Sequence, residues 1–159
     1  MKFLPILKLI KTTDDVSRIN DELEILLASL YRVKNGFETT LKKSVSMELA
    51  NVIKDLAGQT NKDLRGQMRG LLVDIQKYLL SLPVVKLTLA FSPSQEFVEK
   101  IVSYIRENMN SSAVIELAKD SSILGGAIIS ASGKYKDISL KKALEKTFEG
   151  KREIISKLT

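Results

Sequence analysis

Gly125-Gly126 is the place in this chain where a phosphate would be sought first, because adjacent glycines let a backbone turn its N–H groups toward an anion. A P-loop requires GxxxxGK[ST], and a dinucleotide loop requires three spaced glycines opening a helix. Neither pattern is completed, and the glycines run into an apolar strand, where they permit a bulge or a close backbone contact. Two carboxylate pairs, Glu96 with Glu99 and Asp120 with Asp137, have the residue type for acid/base work. Each lies at a helix start or in a turn, where an acid is expected on structural grounds, and no second element of a site accompanies it. Asn110-Ser111-Ser112 has the N-glycosylation pattern, which is accidental without a signal peptide. Lys134-Tyr135-Lys136 interleaves bases with an aromatic, as nucleic-acid surfaces do. Aromatics are only 6% of the chain, however, and Phe37, Phe91, Phe97 and Phe148 fall on expected core faces.

The missing residue types narrow the chemistry further. The chain has no His, Cys or Trp, which removes the commonest general base, the commonest zinc ligands and the thiol nucleophile. No residue is assigned to catalysis, to a cofactor or to a metal. The apolar fraction of 44% and charged fraction of 28% describe a folded chain. No apolar run approaches the ~20 residues that span a bilayer. The opening MKFLPILKLIK is broken by Pro5 and Lys8 and lacks a small-residue cleavage site, which argues against a signal peptide. The net charge of +6 is uneven: residues 134–159 carry eight basic and four acidic side chains, and residues 83–133 carry four and five. Most of these lysines alternate with glutamates, as on a solvated helix face.

The chain divides near Pro83, giving a helical domain over 1–82 and a small α/β C-terminal domain over 83–159. Val16, Ile19, Leu23, Leu26, Leu30, Val33 and Phe37 repeat at steps of three and four, the pattern of a long amphipathic helix with a heptad seam. Thr13 or Asp14 caps its start, and Asn35-Gly36 ends it. A second helix runs from about Phe37 to Ala57, with Leu41, Val45, Leu49, Val52 or Ile53, and Leu56 inward. A third follows a weak capping box at Thr60 and Asp63 and carries Leu64, Met68, Leu71, Ile75, Tyr78 and Leu82. Gly66 and Gly70, one turn apart, offer room for another helix. Three such helices make a closed bundle, or a helical hairpin whose seam awaits a partner.

After Pro83, Val85, Leu87, Leu89 and Phe91 alternate as one face of a strand. Ser92-Pro93-Ser94-Gln95 opens a helix, with a Ser cap before Pro93 at the first helical position and Gln95 in the capping-box place, and with Phe97, Ile101, Ile105 and Met109 as its core stripe. Strands follow at 113–118, with Ile115 and Leu117 inward, at 126–131, and, after a Ser132-Gly133 turn, at 134–137. Ser139 or Asp137 caps a last helix whose inner face is Leu140, Ala143, Leu144 and Phe148, and which Gly150 breaks. The fold class is α+β: a helical bundle or hairpin, then a module that is βαββα in outline.

These residues, in this order, carry a resemblance. VKLTLAFSPSQEFVEKI, then Asp120-Ser121-Ser122-Ile123-Leu124-Gly125-Gly126, Gly133-Lys134, and Asp137-Ile138-Ser139 before Leu140 and Leu144 resemble the C-terminal domain of the delta subunit of F-type ATP synthases, the oligomycin-sensitivity-conferring protein family. Ser121 stands where that family often has Pro, and Ile138 where Gly is common. The usual N-terminal domain is a six-helix bundle, against roughly three long helices expected here, which implies a divergent or shortened N-terminal half.

The resemblance implies a non-catalytic stator subunit linking the catalytic head to the membrane-anchored peripheral stalk. Its implied partners are b-type stalk subunits and the N-terminal segments of the head's large subunits, with no nucleic acid and with membrane contact only through the complex. The implied location is cytoplasmic, on the inner face of the cell membrane. Asp120, Gly125, Gly126, Gly133, Asp137 and Ser139 are the family-motif residues, and Leu23, Leu30, Leu140, Leu144 and Phe148 are candidates for partner binding. The alternatives are an E-type stalk subunit of a V/A-type ATPase and a basic nucleic-acid-binding module.

Overall fold

A computed structural model of the chain describes residues 3–31, 36–58 and 64–156. The chain forms two compact units, Met1–Leu82 and Pro83–Thr159. Helices fill the first, and a mixed sheet with two helices fills the second, an α+β architecture.

The first unit contains five helices among the described residues: α1 (Leu4–Lys8), α2 (Thr13–Ser29), α3 (Gly36–Lys43), α4 (Met47–Gly58) and α5 (Leu64–Leu80). Three long helices were expected, and the difference has both local causes and one that lies far off in sequence. Pro5 starts α1, where its missing N–H would have had no intrahelical partner. Thr12, one residue before the expected cap, starts α2. Its hydroxyl accepts the Asp15 N–H at 3.3 Å, and Asp15 Oδ2 accepts the Thr12 N–H at 3.1 Å and the Lys11 N–H at 3.0 Å. Burial raises the Asp15 pKa, but these donors and Arg18 hold the carboxyl below its ordinary value.

The helix expected over 37–57 is two helices with a break at Ser44–Ser46. A continuous helix would send the Ser46 N–H to the carbonyl four residues back. Instead Glu22 Oε2, from α2, accepts the Ser46 N–H at 3.0 Å and the Ser46 hydroxyl at 2.8 Å. One mostly buried carboxylate therefore ends one helix, starts the next and ties both to α2. Charge-assisted bonds of this kind are the stronger class, which explains why they override local propensity. Asn35, Thr60 and Asp63, expected at helix boundaries, lie outside the described residues, as does Val33.

The core of this unit is aliphatic: Ile6, Ile10, Ile19, Leu23, Leu26, Leu49, Ile53, Leu72 and Ile75 are fully buried. In α5 the buried row is Leu72, Ile75 and Leu79, turned by about one residue from the expected Leu71–Ile75–Tyr78 row. Tyr78 lies against Phe3, with ring centroids 5.3 Å apart, and its buried hydroxyl has no hydrogen-bond partner among the described residues. The room expected at Gly66 and Gly70 is unused within the described structure, since a methyl group there would meet nothing within 4 Å.

The second unit is βαβββα, its four strands lying where the sequence places them. Its elements are β1 (Val84–Leu89), α6 (Gln95–Asn108), β2 (Val114–Lys119), β3 (Ala127–Ala131), β4 (Lys134–Asp137) and α7 (Leu140–Ser156), with a 3-10 turn at Ser121–Ile123. The sheet order is β2-β1-β3-β4, with β1 parallel to β2 and the other pairs antiparallel. Val85, Leu87 and Leu89 alternate inward and meet Val98, Val102 and Ile105 of α6, with Ala113 and Ile115 completing the core. The helix stripe is thus Val98–Val102–Ile105. Phe97 and Met109, expected inside, are exposed. Phe91 lies beyond the strand and stacks at its surface on Phe97, 5.9 Å between centroids. Leu117 shares the α6-facing side of the sheet with Leu87 and Ile115, and is 37% exposed because it lies on the edge strand β2.

Leu23 is a core residue of its own unit, buried to 0% exposure. Leu23→Ala is therefore expected to destabilise the first unit by about 2–5 kcal/mol, the range for a Leu-to-Ala core cavity. Urea denaturation measures this, and an unchanged midpoint would contradict the burial.

Candidate docking surface

The segment 120–148 is built around a close crossing of two backbone stretches. After β2, Asp120 donates its N–H to the Leu89 carbonyl at 2.8 Å and accepts the Ser122 N–H on Oδ1 at 2.9 Å, which closes the 3-10 turn. Leu124 ends the turn in the left-handed region at φ 64°, a conformation costing about 1 kcal/mol or more for a side chain with a Cβ. Gly125 and Gly126 then receive the chain returning from β4. The Ile138 N–H donates to the Ala127 carbonyl, and the Leu140 N–H to the Gly125 carbonyl, each at 2.9 Å. A Cβ on Gly126 would collide with the Ile138 carbonyl oxygen, and its φ of +75° also requires glycine. The two glycines thus serve a backbone crossing.

The hairpin and the last cap complete the module. Ser132 and Gly133 have φ of 49° and 76° and join paired Ala131 and Lys134, the geometry of a two-residue type I′ turn. Asp137 Oδ1 accepts the Ser139 N–H at 2.9 Å, and the buried Ser139 hydroxyl accepts the Lys142 N–H at 3.3 Å. Both expected cap residues are used, in series. The Ser122 hydroxyl and N–H hold the Asp120 carboxyl below its ordinary pKa, helped by the charge of Lys141. Ser139 does the same for Asp137, helped by Lys142 and the Tyr135 hydroxyl. Partial desolvation and the Asp137 carboxylate, 3.5 Å from its hydroxyl, raise the Tyr135 pKa.

The remaining chemical candidates resolve into structural roles. Glu96 pairs with Lys100 at 2.6 Å, one helical turn away. Asn110 Oδ1 accepts the Ser112 N–H at 2.9 Å in the loop before β2. No group of three or more acidic side chains is placed to hold a metal among the described residues. Lys134, Tyr135 and Lys136 do not form one patch. Tyr135 lies in register with Ser130, Lys86 and Glu116 on the face away from α6, where Lys86 and Glu116 pair at 2.9 Å. Lys134 and Lys136 align with Ala131 and Ile129, on the opposite face.

The candidate partner residues separate sharply. Leu23 is in the core, and Leu30 is half-buried at the end of α2. Leu140, Leu144 and Phe148, expected as an inner face, are 49%, 38% and 59% exposed. Every side chain from Leu140 to Phe148 is exposed apart from its anchoring contacts at the Gly125 end, and α7 continues through Gly150 to Ser156 without the expected break. Ile138 and Leu124 add exposed apolar surface at the root of the helix. Both entered the sequence reading only as members of the family-like motif, Ile138 standing where Gly is common. The signal was their size, since a turn with no apolar neighbour to meet has no need of Ile or Leu. Among the described residues, no helix is long and apolar enough to cross a membrane.

Two outcomes follow from this geometry. Gly126→Ala is expected to destabilise the second unit by at least about 2 kcal/mol, combining strain with a backbone clash, whereas Gly133→Ala, which faces open space, carries only the left-handed penalty of about 1–2 kcal/mol. Chemical denaturation that ranked the two in the reverse order would refute the crossing. Second, Asp120 and Asp137 have folded pKa values below the unfolded value of about 3.9. Their contribution to stability is complete above that value and is lost as pH falls through the folded values. Acid titration followed by amide signals of β3 and β4 is expected to show this loss below about pH 4, with a shallower slope in Asp137→Asn. An identical slope in that variant would exclude the carboxylate.

The comparisons agree with the order of elements. Residues 6–149 match the family model described as ATP synthase delta (OSCP) subunit. A relative named ATP synthase subunit delta, from Thermosipho africanus (strain TCF52B), is 26% identical over 118 residues, 72% of this chain and 62% of the relative. The match runs across both units, from α1 to the exposed stripe of the last helix, and on it the chain belongs to the ATP synthase delta (OSCP) subunit family.

Proposed function

We propose that this chain is a non-catalytic stator subunit of an F-type ATP synthase, holding the catalytic head to the membrane-anchored peripheral stalk so that the rotor's torque does not carry the head round. The observation that carries this reading is the family match spanning both units, 6–149, together with the open apolar stripe of α7. A linking subunit needs two docking surfaces on rigid elements. Membership of the family supports assigning one to b-type stalk subunits and the other to the N-terminal segments of the head's large subunits. The α7 stripe suits a helical partner, because Leu140, Leu144 and Phe148 present the i, i+4, i+8 anchors by which amphipathic helices recognise one another. Such a subunit sits at the inner face of the cell membrane through its complex.

The test is retention of the full chain by a complex of the complete stalk and head. Retention is expected, with at least about tenfold weaker binding for Leu144→Asp/Phe148→Asp, since each burial lost is worth about 1.5–3 kcal/mol. Circular dichroism of that variant controls for folding. A chain that elutes free of both stalk and head would overturn the proposal.

A further inference from the structure

The break between α3 and α4 has no cause in its own residues. Positions 37–57 contain neither Gly nor Pro. On an uninterrupted helix Leu41, Val45, Leu49, Val52 and Leu56 fall within about 80° of one another, a single apolar row. The backbone ladder is helical on both sides of the gap. Ser44 donates its N–H to the Thr40 carbonyl at 2.9 Å, and Ala50 donates its N–H to the Ser46 carbonyl at 2.9 Å.

What keeps Ser46 out of the ladder is the Glu22 carboxylate, whose Oε2 takes both its N–H and its hydroxyl. That carboxylate is itself positioned. Arg18 Nη1 donates to Glu22 Oε1 at 3.4 Å, and Arg18 Nη2 donates to Asp15 Oδ1 at 3.4 Å. Glu22 is only 13% exposed, so its oxygens are poorly placed to exchange Ser46 for water. By contrast α3 is lightly tied, since Leu41 is its one buried side chain. Val45, in the break, is half-buried, and on a continuous helix it would join Leu41 and Leu49 in their row.

We propose that residues 36–58 are a two-state element with Glu22 as its latch. In the bent form, seen here, Glu22 holds Ser46 and α3 lies against α2. In the other form Ser44–Ser46 rejoin the ladder, and one helix of about 35 Å replaces two shorter ones. The burial of Leu41 and the two bonds to Glu22 favour the bent form, and the recovered backbone bonds and the unbroken apolar row favour the continuous one. An interaction shifts such a balance only by distinguishing the two forms. The group that distinguishes them is the Glu22 carboxylate, bound to Ser46 in one and released from it in the other. This device is independent of the stator reading.

The experiment is backbone NMR of the full chain, reading Cα shifts and (i, i+3) contacts across Ser44–Met47. In Glu22→Leu the ratio of continuous to bent form is expected to rise at least about tenfold, the worth of one charge-assisted hydrogen bond, with helical shifts at Ser44, Val45 and Ser46. Glu22→Gln, which keeps one acceptor oxygen, is expected to fall between the two. Met47→Pro forbids the continuous helix but suits the first position of α4, where Met47 is 78% exposed. Alone it should leave the break and the urea midpoint as they are, and added to Glu22→Leu it should restore non-helical shifts at Ser44–Ser46. A folded Glu22→Leu chain whose Ser44–Ser46 shifts stay non-helical would overturn the inference. If Glu22→Leu does not fold, Glu22→Gln decides, and unchanged shifts there reject the latch.

Discussion

The second unit depends on one steric fact: the Ile138 carbonyl occupies the space where any side chain at position 126 would stand. Only because that space is free can the strand after the hairpin run close enough for Ile138 to donate to Ala127 and Leu140 to donate to Gly125. Those bonds set where β4 ends. The end of β4 sets where Asp137 and Ser139 cap the last helix, and so where α7 leaves the sheet. The exposed stripe is a late consequence of a missing methyl group. The first unit has a counterpart in Glu22, whose carboxylate decides where α4 begins. In both units a single contact between segments far apart in sequence fixes the position of a helix start.

This explains how much of the architecture was legible in advance. Alternation in Val85, Leu87 and Leu89 and the Ser132-Gly133 turn are local signals, and the structure places those elements where they point, whereas the helix expected to open at Ser92 with Pro93 in its first position starts two residues later, with Ser94 as its cap. The break at Ser44–Ser46 was invisible because its cause, Glu22, lies 24 residues away. Helix faces were displaced by a single step in α5 and α6, since period alone leaves two adjacent rows competing and the geometry of the neighbouring layer decides between them. Gly150 was over-read: a helix tolerates one glycine at a cost of about 1 kcal/mol.

For the candidate surface, pattern identified the right residues and assigned the wrong side. Leu140, Leu144 and Phe148 have the spacing of a buried face, and amphipathicity does not say whether the other half of the contact is in the same chain. Leu23 has the same spacing and is buried against its own unit. What separates the two cases is the number of elements available to cover each stripe. Among the described residues, the first unit has five helices to close on one another. In the second, α6 is already committed to the sheet, and no element of that unit remains for α7 among the described residues.

The position of α7 at the end of a hairpin has a mechanical consequence. β3 begins and β4 ends at the same edge of their antiparallel pair, with Gly125–Leu140 and Ala127–Ile138 as successive rungs. A pull on α7 directed away from β3 therefore loads these rungs one after another, as in opening a zip. A push along the sheet, or a pull parallel to the strands, loads several at once. The same joint is thus weak against peeling and strong against shear, and a force transmitted through α7 is borne well only when it runs along the strands.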